Sequence, residues 1–355
     1  MKVKFPFFQA LLIIFTLLSW VACGDQKDCC APPPPDNEPY TQGIFVVNEG
    51  PFGGTGTISW YSLLTGEVRD SIYEKANNGA SLGLFVQSVA FHKDKAYIVV
   101  NGANRVVVVK ASTFEYLDTI GPLQQPRYFL PVDDNTAYIS QWGADGLTGS
   151  VAKVNLNTLD IEKTIPTGSG PEKMVLFQDA LYVPNSGGYG VDSTITQITL
   201  TDDSAQILDF AIGKNPASIQ FVENGANDKL FFLCKGYFLD PTPQGWLNYL
   251  PENISGYPTP AYADDLTIDP ATGHLYFIGN NQVYKASPNG ADVTISPLFT
   301  GSIYAMTLDP ETGLFYCADA KDFSSNGEIF ARRPDGSVQF QFRAGVAPGD
   351  IVIVK

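Results

Sequence analysis

Hydrolytic chemistry needs an acid, a base, a nucleophile or a metal at one convergent point, and few residues of this chain qualify. The only histidines, His92 and His274, each sit in a short turn between apolar runs. No Gly-x-Ser-x-Gly, His-Glu-x-x-His or Gly-rich phosphate loop occurs in the right strand context. Ser-His-Asp and Cys-His schemes are therefore disfavoured. One oxygen-rich set remains, because Glu49, Asn101, Asn185 and Asp319 each close an apolar run. Such donors would suit a hard ion such as Ca2+ in a hydrolase or lactonase, though Asn at a strand end is also ordinary turn chemistry. A second set reads as binding chemistry. Gln87, Arg127, Glu172, Asp264 and Tyr304 stand at one phase of a repeating phrase, with Ala217 and Gly349 at the same phase. An Arg, two carboxylates, an amide and a phenol in one ring suit a bulky polar organic ligand. Glu172 and Asp264 could also serve as a glycosidase pair, but they lie two repeats apart. A third set is aromatic: Trp142, Tyr189 and Phe323 in Gly-rich segments, and Tyr237, Trp246 and Tyr257 in a stretch broken by Pro241, Pro243, Pro251, Pro258 and Pro260.

The elements that must position these sets are legible from the stretch 168–213. It opens on Gly-Ser-Gly-Pro, runs through four short alternating or apolar segments, and reaches Gly213-Lys-Asn-Pro216, where the phrase returns. Four antiparallel strands that restart on a fixed phrase are one blade of a β-propeller. An aromatic marks each repeat, at Phe45, Tyr97, Tyr138, Tyr182, Phe231, Tyr276 and Tyr316, with intervals of 52, 41, 44, 49, 45 and 40 residues. Seven marks predict an all-β, seven-bladed propeller of four-stranded antiparallel blades. Asp269-Pro-Ala-Thr-Gly273 and Asp309-Pro-Glu-Thr-Gly313 read as hairpin turns between first and second strands rather than as Ca2+ loops. The first repeat, at Gly43, lacks a first strand, while residues 351–354 match a first strand with nothing after it. The C-terminal strand should therefore complete the blade that the N-terminus begins, leaving no inner edge unpaired. The long loops join second to third strands, so they share one face, and that face is the expected site. In the fifth blade the prolines predict short third and fourth strands.

Ahead of the propeller, Lys2 and Lys4 precede an apolar run over residues 5–22 that ends at Cys23. This reads as a signal peptide, residues 1–22, and the tetrad Trp20-Val21-Ala22-Cys23 resembles a bacterial lipobox with Cys23 as the lipidated residue. Residues 23–42 hold four consecutive prolines, four acidic residues and almost nothing apolar, which predicts an extended tether of about 3 Å per residue. Residues 43–355 form the propeller. With 37 acidic against 22 basic residues the chain carries −15, which argues against nucleic acid or anionic membrane surfaces as partners. Cys29 and Cys30 fall in the tether, and Cys234 and Cys317 lie in apolar strand runs, as buried free thiols would.

Several phrases carry a resemblance over nearly all of residues 43–355: Gly43-Ile-Phe-Val-Val-Asn-Glu-Gly50, Gln125-Pro-Arg-Tyr128, Gly168-Ser-Gly-Pro-Glu172, Leu181-Tyr-Val-Pro-Asn-Ser-Gly-Gly-Tyr189 and Gly213-Lys-Asn-Pro216. With the lipobox and tether, the chain resembles the YncE-like propellers that are surface lipoproteins of Bacteroidota-type bacteria. That group includes BtuG-type proteins, which capture cobalamin and pass it to a TonB-dependent outer-membrane transporter. The resemblance implies a non-catalytic, lipid-anchored outer-membrane protein that needs no cofactor, with a corrinoid such as cobalamin as the leading small-molecule ligand and a TonB-dependent transporter as partner. A metal-dependent hydrolase, and a scaffold that grips a protein or a glycan, are the alternatives.

Overall fold

A computed structural model describes residues 39–210, 213–223, 228–250, 256–290 and 292–355. The expected signal peptide, the lipidation site Cys23, Cys29, Cys30 and the tether up to residue 38 lie outside the described residues. The compact unit runs from Pro39 to Lys355. Tyr40, assigned by composition to the tether, packs at the propeller rim edge-on to Trp60 (5.2 Å) and Phe114 (5.5 Å).

The strands form seven four-stranded antiparallel sheets. Taken from the inside outward, the first blade is Pro348–Val354, Gly43–Asn48, Thr57–Ser62 and Val68–Arg69. The C-terminal strand is thus its innermost strand, pairing Val46 with Ile351 and Gly43 with Val354. Innermost strands of the next six blades are Val86–His92, Pro126–Pro131, Val175–Phe177, Pro216–Val222, Asp264–Asp269 and Ala305–Asp309. All seven aromatic marks fall in second strands. Phe45, Tyr138 and Phe231 are fully buried there, and such burial contributes about 2–3 kcal/mol per ring.

Second strands are sandwiched between neighbouring blades, so their two sides are both covered. Runs such as Ile44–Val47 and Ala96–Val100 are accordingly apolar on consecutive residues and buried throughout. Fourth strands form the outer rim and read as polar, as Ser204–Asp209 does. The hairpins behave as turns. Asp269 accepts from the Ala271 amide (3.0 Å) and the Thr272 hydroxyl (2.6 Å), and Asp309 repeats the pattern with Glu311 (3.1 Å) and Thr312 (2.7 Å). Cys234 and Cys317 are buried free thiols, each pushed up to about 12 by burial.

The fifth blade departs from expectation in part. Its fourth strand, Tyr257–Thr259, has three residues, but its third, Gly245–Leu250, has a regular six. The prolines flank that third strand instead of interrupting it, so no ladder donor is lost from its interior.

Candidate functional site

Second-to-third loops and blade-to-blade connections share one face, here called the mouth face. First-to-second and third-to-fourth hairpins share the other. His92 and His274 lie at hairpins of that other face. The chain enters there as well, where the Tyr40 amide donates to the Ser112 carbonyl of a third-to-fourth turn.

Each innermost strand starts on the mouth face, and its backbone there follows a repeated device. Phe85, Gln125, Gly170, Asn215, Tyr262 and Ala347 have φ between 50° and 66°. Five are not glycine, an uncommon left-handed conformation. A β-bulge then follows in five blades, leaving Gln87, Ala217 and Gly349 without partners and setting Arg127-Tyr128 against Ser140 alone and Asp265-Leu266 against Phe277 alone. In a regular strand consecutive side chains point to opposite faces. A bulge re-aims them, and here neighbours in sequence line the same cavity: Arg127 with Tyr128, Ala217 with Ser218, and Asp264 with Asp265. Glu172 and Lys173 do likewise in the fourth blade, just ahead of its innermost strand.

The cavity at the mouth of the central channel has a volume of about 140 Å3. All seven positions of the predicted ring line it, namely Gln87, Arg127, Glu172, Ala217, Asp264, Tyr304 and Gly349. Glu49, Lys235 and a deeper tier of Tyr128, Lys173, Ser218 and Asp265 line it too. Sequence reasoning missed that tier because it allowed one inward residue per strand. The signal was present as polar or small dyads, Arg-Tyr, Glu-Lys, Ala-Ser, Asp-Asp and Gly-Asp, that break apolar alternation at the same phase of each repeat.

At the mouth, each cation is matched to one carboxylate. Arg127 donates from Nε and Nη2 to the two Glu172 oxygens (3.1 and 3.3 Å) and from Nη1 to Gln87. Its guanidinium lies 4.3 Å from the centre of the Trp142 ring. Glu172 also accepts from the Ser186 hydroxyl (3.0 Å). Lys235 pairs with Asp264, which accepts in addition from Ser218 (3.1 Å). Burial would raise the Asp264 pKa, but Lys235 outweighs it and holds the carboxyl below the ordinary range. Tyr304 donates to both Glu49 oxygens (3.2 Å), and burial, only partly offset by that hydrogen bond, raises the Glu49 pKa.

One tier deeper, Lys173 reaches Asp265 (3.5 Å) and Asp350 (3.7 Å) from across the channel, and its ammonium lies 5.4 Å from the Tyr128 ring centre. Burial pulls the Lys173 pKa down, yet the two carboxylates more than offset it. Burial pushes Asp265 up to about 6, with Lys173 offsetting only part, and raises Asp350 for the same reason.

The aromatic set divides. Trp142 and Tyr189 meet edge to face at 5.6 Å, and the Tyr189 hydroxyl donates to Gln125 (3.0 Å), so both border the mouth beside Arg127. Tyr237 belongs to the fifth-blade loop, 5.8 Å from the Lys214 ammonium and 5.1 Å from Phe238. Trp246 and Tyr257 are not brought to the mouth. Trp246 is cross-strand from Cys234 and packs in the core cluster of Phe210 and Phe232, while Tyr257 lies on the outer strand stacked at 6.5 Å on Tyr249. Exposed apolar side chains nonetheless favour this face: Phe52, Leu84, Phe85, Leu147, Tyr189, Val191, Phe238, Leu239, Tyr262, Tyr304 and Phe323 all stand on its loops.

The oxygen-ligand set is dispersed. Glu49 faces the channel, whereas Asn101 donates to the Pro126 carbonyl (3.1 Å), Asn185 donates to Thr194 (2.8 Å) and Thr196 (3.0 Å), and Asp319 accepts from Ser302 (2.9 Å). These four belong to four different blades, and each is engaged locally. Among the described residues no group of three or more His, Cys, Asp or Glu side chains is arranged to hold a metal ion. Nor is any helix among them long and apolar enough to cross a membrane.

Residues 42–215, slightly under half of the chain, match a family model described as a domain of unknown function, DUF5074. No curated protein sequence matches the chain. Among solved structures, the chain is similar to a quinonprotein alcohol dehydrogenase-like protein of Bacteroides thetaiotaomicron, with 14% identity over 89% of this chain and 79% of the other and a TM-score of 0.63. It is similar to the periplasmic gluconolactonase PpgL of Pseudomonas aeruginosa, with 13% identity over 89% and 99% of the two chains and a TM-score of 0.62. A functionally unknown protein of Desulfotomaculum acetoxidans gives 14% identity over 88% and 99%, with a TM-score of 0.60. At such identities the likeness is one of fold, and with the seven sheets described above it makes this chain a seven-bladed β-propeller whose residues 42–215 are similar to DUF5074.

Proposed function

We propose that this protein is a non-catalytic capture lipoprotein that binds a polar organic ligand at the mouth face and presents it to an outer-membrane transporter. The observation that carries the reading is the asymmetry of the disc. Charged mouth and exposed aromatic loops lie on one face, and the chain enters at Tyr40 on the other. A lipid on Cys23 would anchor the protein at the cell surface through the end of the chain that joins the propeller opposite the mouth. The YncE-like and BtuG-type resemblance makes a corrinoid such as cobalamin the first ligand to test, and a TonB-dependent transporter the first partner. A corrinoid bears peripheral carboxamides that both donate and accept, and the mouth offers acceptors in Glu172 and Asp264 beside donors in Arg127, Lys235 and Tyr304. A cavity of about 140 Å3 is smaller than the roughly 300–1,000 Å3 of pockets that enclose whole ligands. It would hold one side arm while the macrocycle rests on the aromatic loops.

Equilibrium dialysis of the purified full chain against cobalamin and cobinamide tests the ligand through its own visible absorbance. Saturable binding that Trp142→Ala weakens is expected. No binding at tens of micromolar would remove corrinoids. The hydrolase alternative requires Glu49, Asn101, Asn185 and Asp319 to share an ion. Their separate local bonds weigh against that arrangement, and ester or lactone cleavage dependent on millimolar Ca2+ would restore it.

A further inference from the structure

We infer that the channel mouth receives a protonated amine, with Glu49 as its counter-ion. This deepens the capture reading and rests on it, since it names the charge of the group that enters. The first argument is an uneven pairing of charge. Glu172 is held by Arg127, Asp264 by Lys235, and Asp265 and Asp350 by Lys173. Among the described residues Glu49 has no basic side chain within 4.0 Å, and the Tyr304 hydroxyl is its side-chain hydrogen-bond partner. Glu49 is half-buried, and a charge drawn part-way out of water is ordinarily paired. An incoming ammonium would complete this pairing.

The converse holds for an anion. The charge of Arg127 is already paired with Glu172, with further contacts to Gln87 and the Trp142 face, and the charge of Lys235 with Asp264, although both keep N–H groups for a neutral acceptor. An anionic group would have to break one of these pairs, whereas a cation need break none.

The surroundings of Glu49 suit an organic cation. A Cβ added at Gly349 would lie 2.3 Å from Glu49 Oε1, so the carboxylate occupies space that any other residue would fill. The bulge at Gly349 holds that glycine at the cavity wall. Beside it, Tyr304 and Phe323 meet edge to face at 4.9 Å with both rings about half exposed. Aromatic faces next to a carboxylate attract alkylammonium groups.

Isothermal titration of the full chain at pH 7.5 with phenethylamine, and with 3-phenylpropionate as its anionic counterpart, tests the inference. Saturable amine binding is expected, at least tenfold tighter than the anion. Glu49→Gln should weaken it at least tenfold. Gly349→Ala supplies an independent check, because its Cβ collides with the movable end of the Glu49 side chain and should displace the carboxylate while leaving the melting temperature unchanged. Any of three results would overturn the inference: no amine binding up to 20 mM (roughly the weakest affinity of interest), equal binding of the anion, or affinity within twofold of wild type in both variants. Corrinoid dialysis on the same samples separates the two readings. Corrinoid binding without an amine response sinks this inference alone, and an amine response without corrinoid binding sinks only the corrinoid.

Discussion

Two tiers of charge, one residue apart in sequence, meet the cost of burial differently. At the mouth each cation has its own carboxylate, Arg127 with Glu172 and Lys235 with Asp264. One step deeper, Lys173 serves both Asp265 and Asp350. In the upper tier each cation holds one carboxylate and Glu49 stands outside the pairs, whereas in the lower tier one cation is shared by two carboxylates. Lys173 sits deep in the disc yet keeps 36% exposure, because it lines a water-accessible channel. The comparison predicts that the lower tier is the more fragile. Lys173→Met should leave two carboxylates uncompensated and cost about 3 kcal/mol at pH 7, the low end for breaking a buried pair because channel water screens part of it. Urea denaturation would measure this. The loss should shrink at pH 4, where Asp265, raised to about 6 by burial, is neutral and Asp350 is shifted in the same direction. A loss below 1 kcal/mol, or one that is equal at both pH values, would break the contrast between the tiers.

The next largest effect isolates Asp265. Its carboxyl ionises near pH 6 when folded against 3.8 ordinarily, raised by burial and by neighbouring Asp264 and Asp350 with Lys173 offsetting part. Between those values the folded state holds an extra proton. The resulting stabilisation is complete below pH 3.8 and is lost as pH rises through 6. Asp265→Asn is neutral throughout and escapes that loss, while its amide oxygen can still accept from the Met306 amide as the carboxylate does (2.7 Å). Relative to wild type, the variant should therefore gain about 2 kcal/mol between pH 4 and pH 7. Parallel pH profiles of the two proteins would show that the shortage of cations is not felt at this residue.

The same two tiers mark how far the site was legible in sequence. The repeating phrase sets the phase of each innermost strand, so one residue per blade could be placed, and Gln87, Arg127, Glu172, Asp264 and Tyr304 do line one cavity. Asp265 escaped because strand alternation assigns it to the opposite face, and the bulge that overrides it is a backbone event found where left-handed residues such as Gln125 and Ala347 precede the innermost strands, not at a predictable glycine, while Lys173 lies just ahead of its blade's innermost strand, where alternation does not apply. Glu49 was legible as an oxygen donor at a strand end but not as a carboxylate without a counter-ion, since that depends on where Arg127 and Lys235 spend their charge. Trp246 and Tyr257 were misplaced by proline density. Proline flanks the third strand of the fifth blade, which carries Trp246 into inter-blade packing, and the short fourth strand holds Tyr257 at the rim.

The smallest effect lies within the upper tier and asks what makes its pairing rigid. Arg127 is held on three sides, by Glu172, by Gln87 and by the Trp142 ring. Among the described residues Lys235 has Asp264 as its ion-pair partner and lies over no aromatic ring. If the aromatic lid fixes the guanidinium, Arg127 and Trp142 should couple. A double-mutant cycle with Arg127→Met and Trp142→Leu, followed by urea denaturation, should give a coupling of about 0.5–1 kcal/mol, as expected for a partly exposed cation over an indole face. The matching cycle between Lys235 and Trp142 should give none. Zero coupling for Arg127 would mean that the carboxylate alone holds it and that Trp142 is free to turn toward a ligand. A larger value, approaching 2 kcal/mol, would mean that the lid excludes water from the pair. Arg127 would then be a fixed wall of the mouth, against which the unpaired carboxylate of Glu49 is the side that responds.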